Sequence, residues 1–190
     1  MKYGLSLAAF MLACSLFLQA QQPAPGPAFS SANELLRPAD YREWMFVTSG
    51  LGMTYNTPST TANRAPSFTN VYVNPSAYRA FLETGRWPEH TMFVLEVRSS
   101  TSEGSINKGG SFQTALVGLE AAVKDEARFP QTKWAYFNFG AGAAAKDRVE
   151  ALPASASCYA CHSANGAVDN TFVQFYPTLL DIARAKGTAR

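Results

Sequence analysis

The 190-residue chain is poor in the side chains that hold metal ions or form disulfides, with three cysteines and two histidines. It also has little net charge, +2 at neutral pH, so it offers no electrostatic reason to expect a nucleic-acid partner. After residue 20 no apolar run is long enough to span a membrane. There is no internal repeat and no long low-complexity tract, so a single domain is predicted.

The first 20 residues are typical of a secretory signal peptide. A basic start is followed by an apolar run that ends at Leu18, and Ala20 precedes a polar, Pro-rich stretch. We therefore expect cleavage after Ala20, export to the periplasm or the medium, and a flexible leader over residues 21–33. An N-terminal membrane anchor, or a lipoprotein cut before Cys14, is the alternative. Residues 34–190 are predicted to form the domain.

Periodic segments within residues 34–190 predict an α+β fold. A short helix in "LRPADYREWMFV" is expected to lead into a strand near residue 45, and a weak helix is expected in "AGAAAKDRVEAL". Asn74-Pro75 is a good helix start, with Asn74 as N-cap, and Gly85 is a plausible end. Further strands are predicted in "APSFTNVYVNP", "HTMFVLEVRSS", Phe112–Leu119 and "KWAYFNFG", and further helices in "ASASCYACHS" and "YPTLLDIARAK".

The sequence "CYACH" near the C-terminus concentrates the chemistry of the chain, because it contains Cys158, Cys161 and His162. On a helix these positions share one face, so both thiols can reach one edge of a porphyrin while the imidazole approaches the iron. C-x-x-C-H is the signature of c-type haem attachment. A zinc site lacks ligands, since His90 is the one further candidate, and a redox dithiol lacks its usual βα setting. A disulfide would close a very short loop.

The sixth position of such an iron has no obvious ligand in the sequence. Small electron-transfer cytochromes often use a methionine, but none follows His162. Met45, Met53 and Met92 lie far upstream, where methionine usually fills gaps in a core. His90 follows Pro-Glu in an apparent surface turn. The sequence therefore favours a five-coordinate iron with an open face, and an electron carrier with a methionine ligand is the alternative.

Most of the domain resembles the cytochrome P-460 family, which includes the cytochromes c′-beta. The segments that carry the resemblance are "DYREW", "VYVNPSAYRAFLETGRWPEHTMFVLEV", "FQTALVGLEAAVKDEARFP", "KWAYFNFG" and "CYACHS…FVQFYPTL". The resemblance implies an antiparallel β-sheet with a few helices, a homodimer and one covalent haem c with an open site. It implies that Cys158 and Cys161 form the thioethers and that His162 is the axial ligand.

The resemblance also divides the expected functions. Family members that oxidise hydroxylamine carry a lysine cross-linked to the porphyrin, and the matching position here is Leu95. Leu95 shares the apolar face of its strand with Phe93, so both are expected to face the haem. The next lysine, Lys108, lies in a Gly-rich loop. The c′-beta members lack the cross-link and bind nitric oxide, which suits an apolar site.

We therefore expect an exported cytochrome that binds nitric oxide or a similar small diatomic or nitrogen-oxide ligand. A redox role with a partner protein is compatible with this expectation. Hydroxylamine oxidation is the alternative activity. Glu96 and Glu120 are the acids nearest the relevant strands, and either is a candidate base for that chemistry.

Overall fold

The computed structural model describes residues 26–54 and 65–190, which form an α+β fold. The strands are β1 (Leu35–Leu36), β2 (Met45–Leu51), β3 (Phe68–Val73), β4 (Met92–Thr101), β5 (Phe112–Lys124), β6 (Trp134–Asn138) and β7 (Arg148–Val149). The helices are α1 (Pro75–Thr84), α2 (Ser157–Asn165) and α3 (Pro177–Ala185). Strands β2 to β6 form one antiparallel sheet in sequence order, and β1 pairs with β7. The predicted α+β class and antiparallel sheet are confirmed.

No helix in the two described ranges is both long and apolar enough to cross a membrane. The predicted signal peptide lies outside the described residues. The described part of the predicted leader lies against the domain: Phe29 packs on Phe129 and Phe137, and the Leu36 N–H donates to the Ala28 carbonyl at 2.8 Å. These contacts attach Ala28 and Phe29, which lie within the predicted leader, to the folded domain.

Side chains of the large sheet alternate between two cores, as the period of two along β4 predicts. Phe93 belongs to a core that also contains Phe81 of α1 and Leu179 of α3. Its neighbour Val94 belongs to a second core, on the other face, which contains Leu35 of β1. Each such large apolar side chain contributes about 1.5–3 kcal/mol when it is fully buried. The sheet is therefore a shared wall between two apolar clusters.

Helix α1 begins and ends where the sequence predicts, but Asn74 does not cap it with its side chain. The Asn74 Oδ1 accepts the Met92 N–H at 2.8 Å, and its Nδ2 donates to the His90 carbonyl at 3.3 Å. The buried amide thus satisfies the start of β4 instead of the helix N-terminus. At the other end Gly85 has a φ of 69°, the left-handed conformation that glycine adopts without steric cost.

Three local predictions are wrong in extent or type. Strand β5 runs past Leu119 to Lys124, because its last five residues pair with β6. In "AGAAAKDRVEAL" a single 3₁₀ turn, Gly142–Ala144, is followed by β7, since pairing with β1 outweighs a weak helical preference. The short helix expected before β2 is one 3₁₀ turn, Tyr41–Glu43.

Candidate functional site

Helix α2 brings the three chemically distinctive residues of "CYACH" to one cavity. Cys158, Cys161 and His162 all line this space, whose volume is about 440 Å³, within the range of ligand pockets in proteins. Offsets of three and four residues place them on the same side of the helix. Both thiols are free and half-buried. The helix and the shared face that the sequence predicted are therefore present.

The opposite wall of the cavity is one face of the large sheet. Phe93 and Leu95, which alternation placed together on β4, both line it, and most of the lining is apolar. The sheet residues on this face are Thr48, Gly50, Thr69, Val71, Phe93, Leu95, Glu120, Ala122 and Tyr136. Ala121 and Phe137 also line the cavity, although their side chains belong to the second core. The segment after α2 adds Thr171, Phe172, Phe175 and Tyr176, which fall in or beside the "FVQFYP" of the sequence. The sequence did not predict that these four residues line the cavity.

The ring of His162 is held in one orientation. Its Nδ1 lies 2.8 Å from the carbonyl oxygen of Asn170, and because a carbonyl only accepts, Nδ1 carries the proton and Nε2 keeps its lone pair. The ring centroid lies 4.5 Å from that of Tyr136 and 4.3 Å from that of Phe172. Burial lowers the pKa of His162, and the hydrogen bond to Asn170 opposes this only in part. The imidazole is thus neutral near pH 7, as an iron ligand must be.

The Cys158 thiol does not have the environment of a reactive cysteine. Burial raises the pKa of Cys158, and the nearby carboxyl of Glu120 raises it further. Reactive cysteines instead have a lowered pKa in an electropositive setting. The zinc alternative also loses its fourth ligand, because His90 lies outside the cavity with its Nδ1 3.8 Å from Asp125.

The three methionines proposed as sixth ligands separate in space. Met53 lines the cavity, whereas Met92 is buried in the second core across the sheet and Met45 lies exposed at the edge strand β2. The electron-carrier alternative therefore depends on Met53 alone among the three.

The two acids proposed as bases also separate. Glu120 lines the cavity and is the β5 partner of Leu95 in the strand register. Its side chain is exposed to the open cavity, and partial desolvation there raises its pKa. Glu96 lies on the other face of the sheet, so its candidacy is wrong: the side chain is buried among polar partners and does not reach the cavity. The physical reason is the strand period of two, which turns adjacent residues Leu95 and Glu96 to opposite faces.

The residues around the cavity fit a c-type haem. Cys158 and Cys161 would form the two thioethers, and Nε2 of His162 is free to bind iron. The apolar walls from β4 and β6 suit a porphyrin face, and aromatic rings flank the imidazole. The donor set, the tautomer of the histidine and the composition of the walls thus agree with one another.

A protein-family model described as cytochrome P460 matches residues 38–173. The match includes the whole five-stranded sheet and α2. No curated protein matches the chain significantly.

Proposed function

The chain belongs to the cytochrome P460 family of haem cytochromes, and we propose that it is an exported mono-haem c-type cytochrome that binds nitric oxide or a similar small ligand. A haem held here would supply an iron that can bind such a ligand. His162 would be the iron ligand from α2, and Cys158 and Cys161 would hold the haem covalently.

The observation that carries this proposal is the presence of Leu95 in the cavity wall, at the position where the resemblance implies a cross-linking lysine. No lysine is among the described residues that line the cavity. Leu95 and Phe93 offer neutral, apolar surface, which favours an uncharged diatomic ligand over a charged one. Without the lysine, the modified haem that accompanies hydroxylamine oxidation is not expected.

The ferrous absorption spectrum tests the proposal. We expect a broad high-spin band that disappears when nitric oxide is added and binds to the iron. Sharp low-spin bands that disappear in Met53→Leu but persist in the matched Met45→Leu variant would replace the proposal with the electron-carrier alternative. A main band shifted far to the red would indicate a cross-linked haem and contradict the proposal.

Attachment is tested by mass spectrometry of the protein made with the haem-attachment machinery. We expect a covalent increase of one haem per chain, reduced occupancy in Cys158→Ser or Cys161→Ser, and a mature N-terminus at Gln21. Absence of haem from the wild-type protein would overturn the proposed function as a whole.

A second function, oxidation of hydroxylamine or another reduced nitrogen species, is favoured by one observation: Glu120 places a carboxyl in the cavity beside Leu95. A carboxyl with a raised pKa is suited to accept a proton near neutral pH. If this activity exists, Glu120→Gln should reduce turnover by about 10²-fold or more, since general bases contribute that much. If the wild-type protein does not turn over hydroxylamine, while both it and Glu120→Gln bind nitric oxide, the enzymatic function is excluded and ligand binding remains as the proposed function.

A homodimer is also proposed, as the family resemblance implies. The sheet face opposite the cavity exposes Phe46 and Leu51, apolar side chains that a second copy would cover. Light scattering after size exclusion should give twice the mass of the mature chain. Phe46→Asp should shift the protein towards monomer, whereas Ile106→Asp, in a loop outside the sheet, should not.

A further inference from the structure

The carbonyl that accepts the His162 proton belongs to a tight turn that is built for its position. Val168 and Thr171 pair through two backbone hydrogen bonds, with Thr171 N–H donating at 2.8 Å and Val168 N–H at 3.3 Å. The two residues between them, Asp169 and Asn170, have φ values of 49° and 61°. Positive φ at both central residues is characteristic of the tightest hairpin turns, and Asp and Asn tolerate it better than most residues.

Two side chains from distant parts of the chain hold this turn. The Nζ of Lys124, the last residue of β5, lies 2.5 Å from Asp169 Oδ2 and also donates to the Trp87 carbonyl at 2.9 Å. The indole N–H of Trp87 in turn donates to Thr171 Oγ1 at 2.8 Å. Lys124 is 12% exposed and Asp169 is 29% exposed, so the pair is partly shielded from water. A shielded pair constrains geometry more than a surface pair does.

From these contacts we infer that Lys124 is a positioning residue for the iron ligand: through Asp169 it holds the turn whose Asn170 carbonyl accepts the Nδ1 proton of His162. Lys124 reaches the imidazole only through this chain of contacts. The inference rests on the proposed attachment of haem to α2. The same contacts give the "TGRWP" stretch a structural role, because the indole of Trp87 donates to Thr171 of the turn and its carbonyl accepts from Lys124.

The hydrogen bond from Nδ1 matters for the iron because it makes the imidazole a stronger donor, which favours the ferric state. Loosening the turn in Lys124→Met should therefore raise the midpoint potential and shift the iron–imidazole stretch of the ferrous protein to lower frequency. Loss of the lysine charge by itself would lower the midpoint potential, because removing a nearby positive charge stabilises the ferric state. The sign of the change thus separates positioning from simple electrostatics.

A neutral pair sharpens the test. Lys124→Met combined with Asp169→Asn removes both charges and keeps a residue at 169 that tolerates the turn, so the direct charge effects largely cancel. The potential should still lie above that of the wild type. Lys124→Arg retains the charge and should restore most of the wild-type stretching frequency. Lys133→Met, which breaks an exposed pair with Glu126, is the matched control and should change neither quantity.

The wild-type haem content is measured first, because its absence would overturn the proposed function and not only this inference. With haem attached, an unchanged stretching frequency in both Lys124→Met and Asp169→Asn would overturn the positioning role. A lower potential in Lys124→Met with an unchanged frequency would also do so, as a pure charge effect. If Lys124→Met does not accumulate, Asp169→Asn decides alone, since it preserves the turn-forming residue type and removes the ion pair.

Discussion

Glu96 and Glu120 lie on adjacent strands of one sheet, yet their carboxyl groups face opposite sides and meet opposite environments. Burial alone would raise the pKa of Glu96, but hydrogen bonds from Arg98, Tyr41, Asn70 and Arg42 outweigh it and lower the pKa to about 2. The Glu120 side chain is exposed to the open cavity, but no donor among the described residues offsets its partial loss of water, so desolvation raises its pKa. The difference shows that the donors around a carboxyl, and not its burial alone, set the direction in which its pKa moves.

The two carboxyl groups also differ in the role that their surroundings give them. Glu96 is 1% exposed and joins β4 to the segment before β2, since Arg42 and Tyr41 both reach it from there. Glu120 has no such tie to another element among the described residues, and it faces the cavity where the haem is proposed to bind. A satisfied buried charge ties elements together, whereas a carboxyl without such partners is available for chemistry.

The largest expected effect is on stability when the satisfied carboxylate is removed. Glu96→Gln should lower the free energy of unfolding by about 3–5 kcal/mol, because the buried carboxylate is lost and Arg98, which is only 18% exposed, is left without its counter-charge. Glu120→Gln should not lower it at neutral pH. Urea denaturation of both variants tests this prediction. Equal losses of unfolding free energy would show that the two carboxyl groups do not differ in their contribution to stability.

The next effect is the pH dependence of stability. Because the folded pKa of Glu96, about 2, lies below its ordinary value of 4.5, its stabilisation is present above pH 4.5 and is lost as pH falls towards 2. The loss should amount to about 3 kcal/mol, at about 1.4 kcal/mol for each unit of pKa. Denaturation curves between pH 2 and about 6 should show this slope in the wild type and lack it in Glu96→Gln.

Glu120 should give a dependence of the opposite sign. Its folded pKa is raised, so its favourable contribution is present below pH 4.5 and is lost as pH rises through the raised value. In Glu120→Gln that decline should disappear while the acid-side loss remains. A variant that changes the acid side instead would contradict the assignment of the two groups.

The smallest expected effect concerns one donor to Glu96. The Tyr41 hydroxyl donates to Glu96 Oε1 at 2.5 Å, so Tyr41→Phe should cost about 1.5–3 kcal/mol, the range for hydrogen bonds to charged groups. Tyr72 packs edge-on against Tyr41, but its hydroxyl is not among the donors that the described residues supply to Glu96. Tyr72→Phe should therefore change stability by less than about 0.5 kcal/mol. Similar losses in the two variants would argue against a specific role for the Tyr41 bond.

Much of the candidate site could be predicted because its signals are local. The C-x-x-C-H spacing requires only helical geometry to place Cys158, Cys161 and His162 on one face, and strand alternation requires only the pleat to pair Phe93 with Leu95. The helix ends at Asn74 and Gly85 are signalled in the same local way. By contrast, the hydrogen bond that orients His162 is accepted by a backbone carbonyl. Every residue has such a carbonyl, so no sequence pattern marks this one.

The sequence by itself determined the haem-type motif, the strand period and the two candidate acids, because these depend on residue types a few positions apart. The tertiary structure decided that Glu120 enters the cavity and Glu96 does not, that Met53 alone of the three methionines reaches it, and that Lys124 supports the turn behind His162. These outcomes depend on which strands become neighbours and in which register, and that is set by packing between segments far apart in the chain.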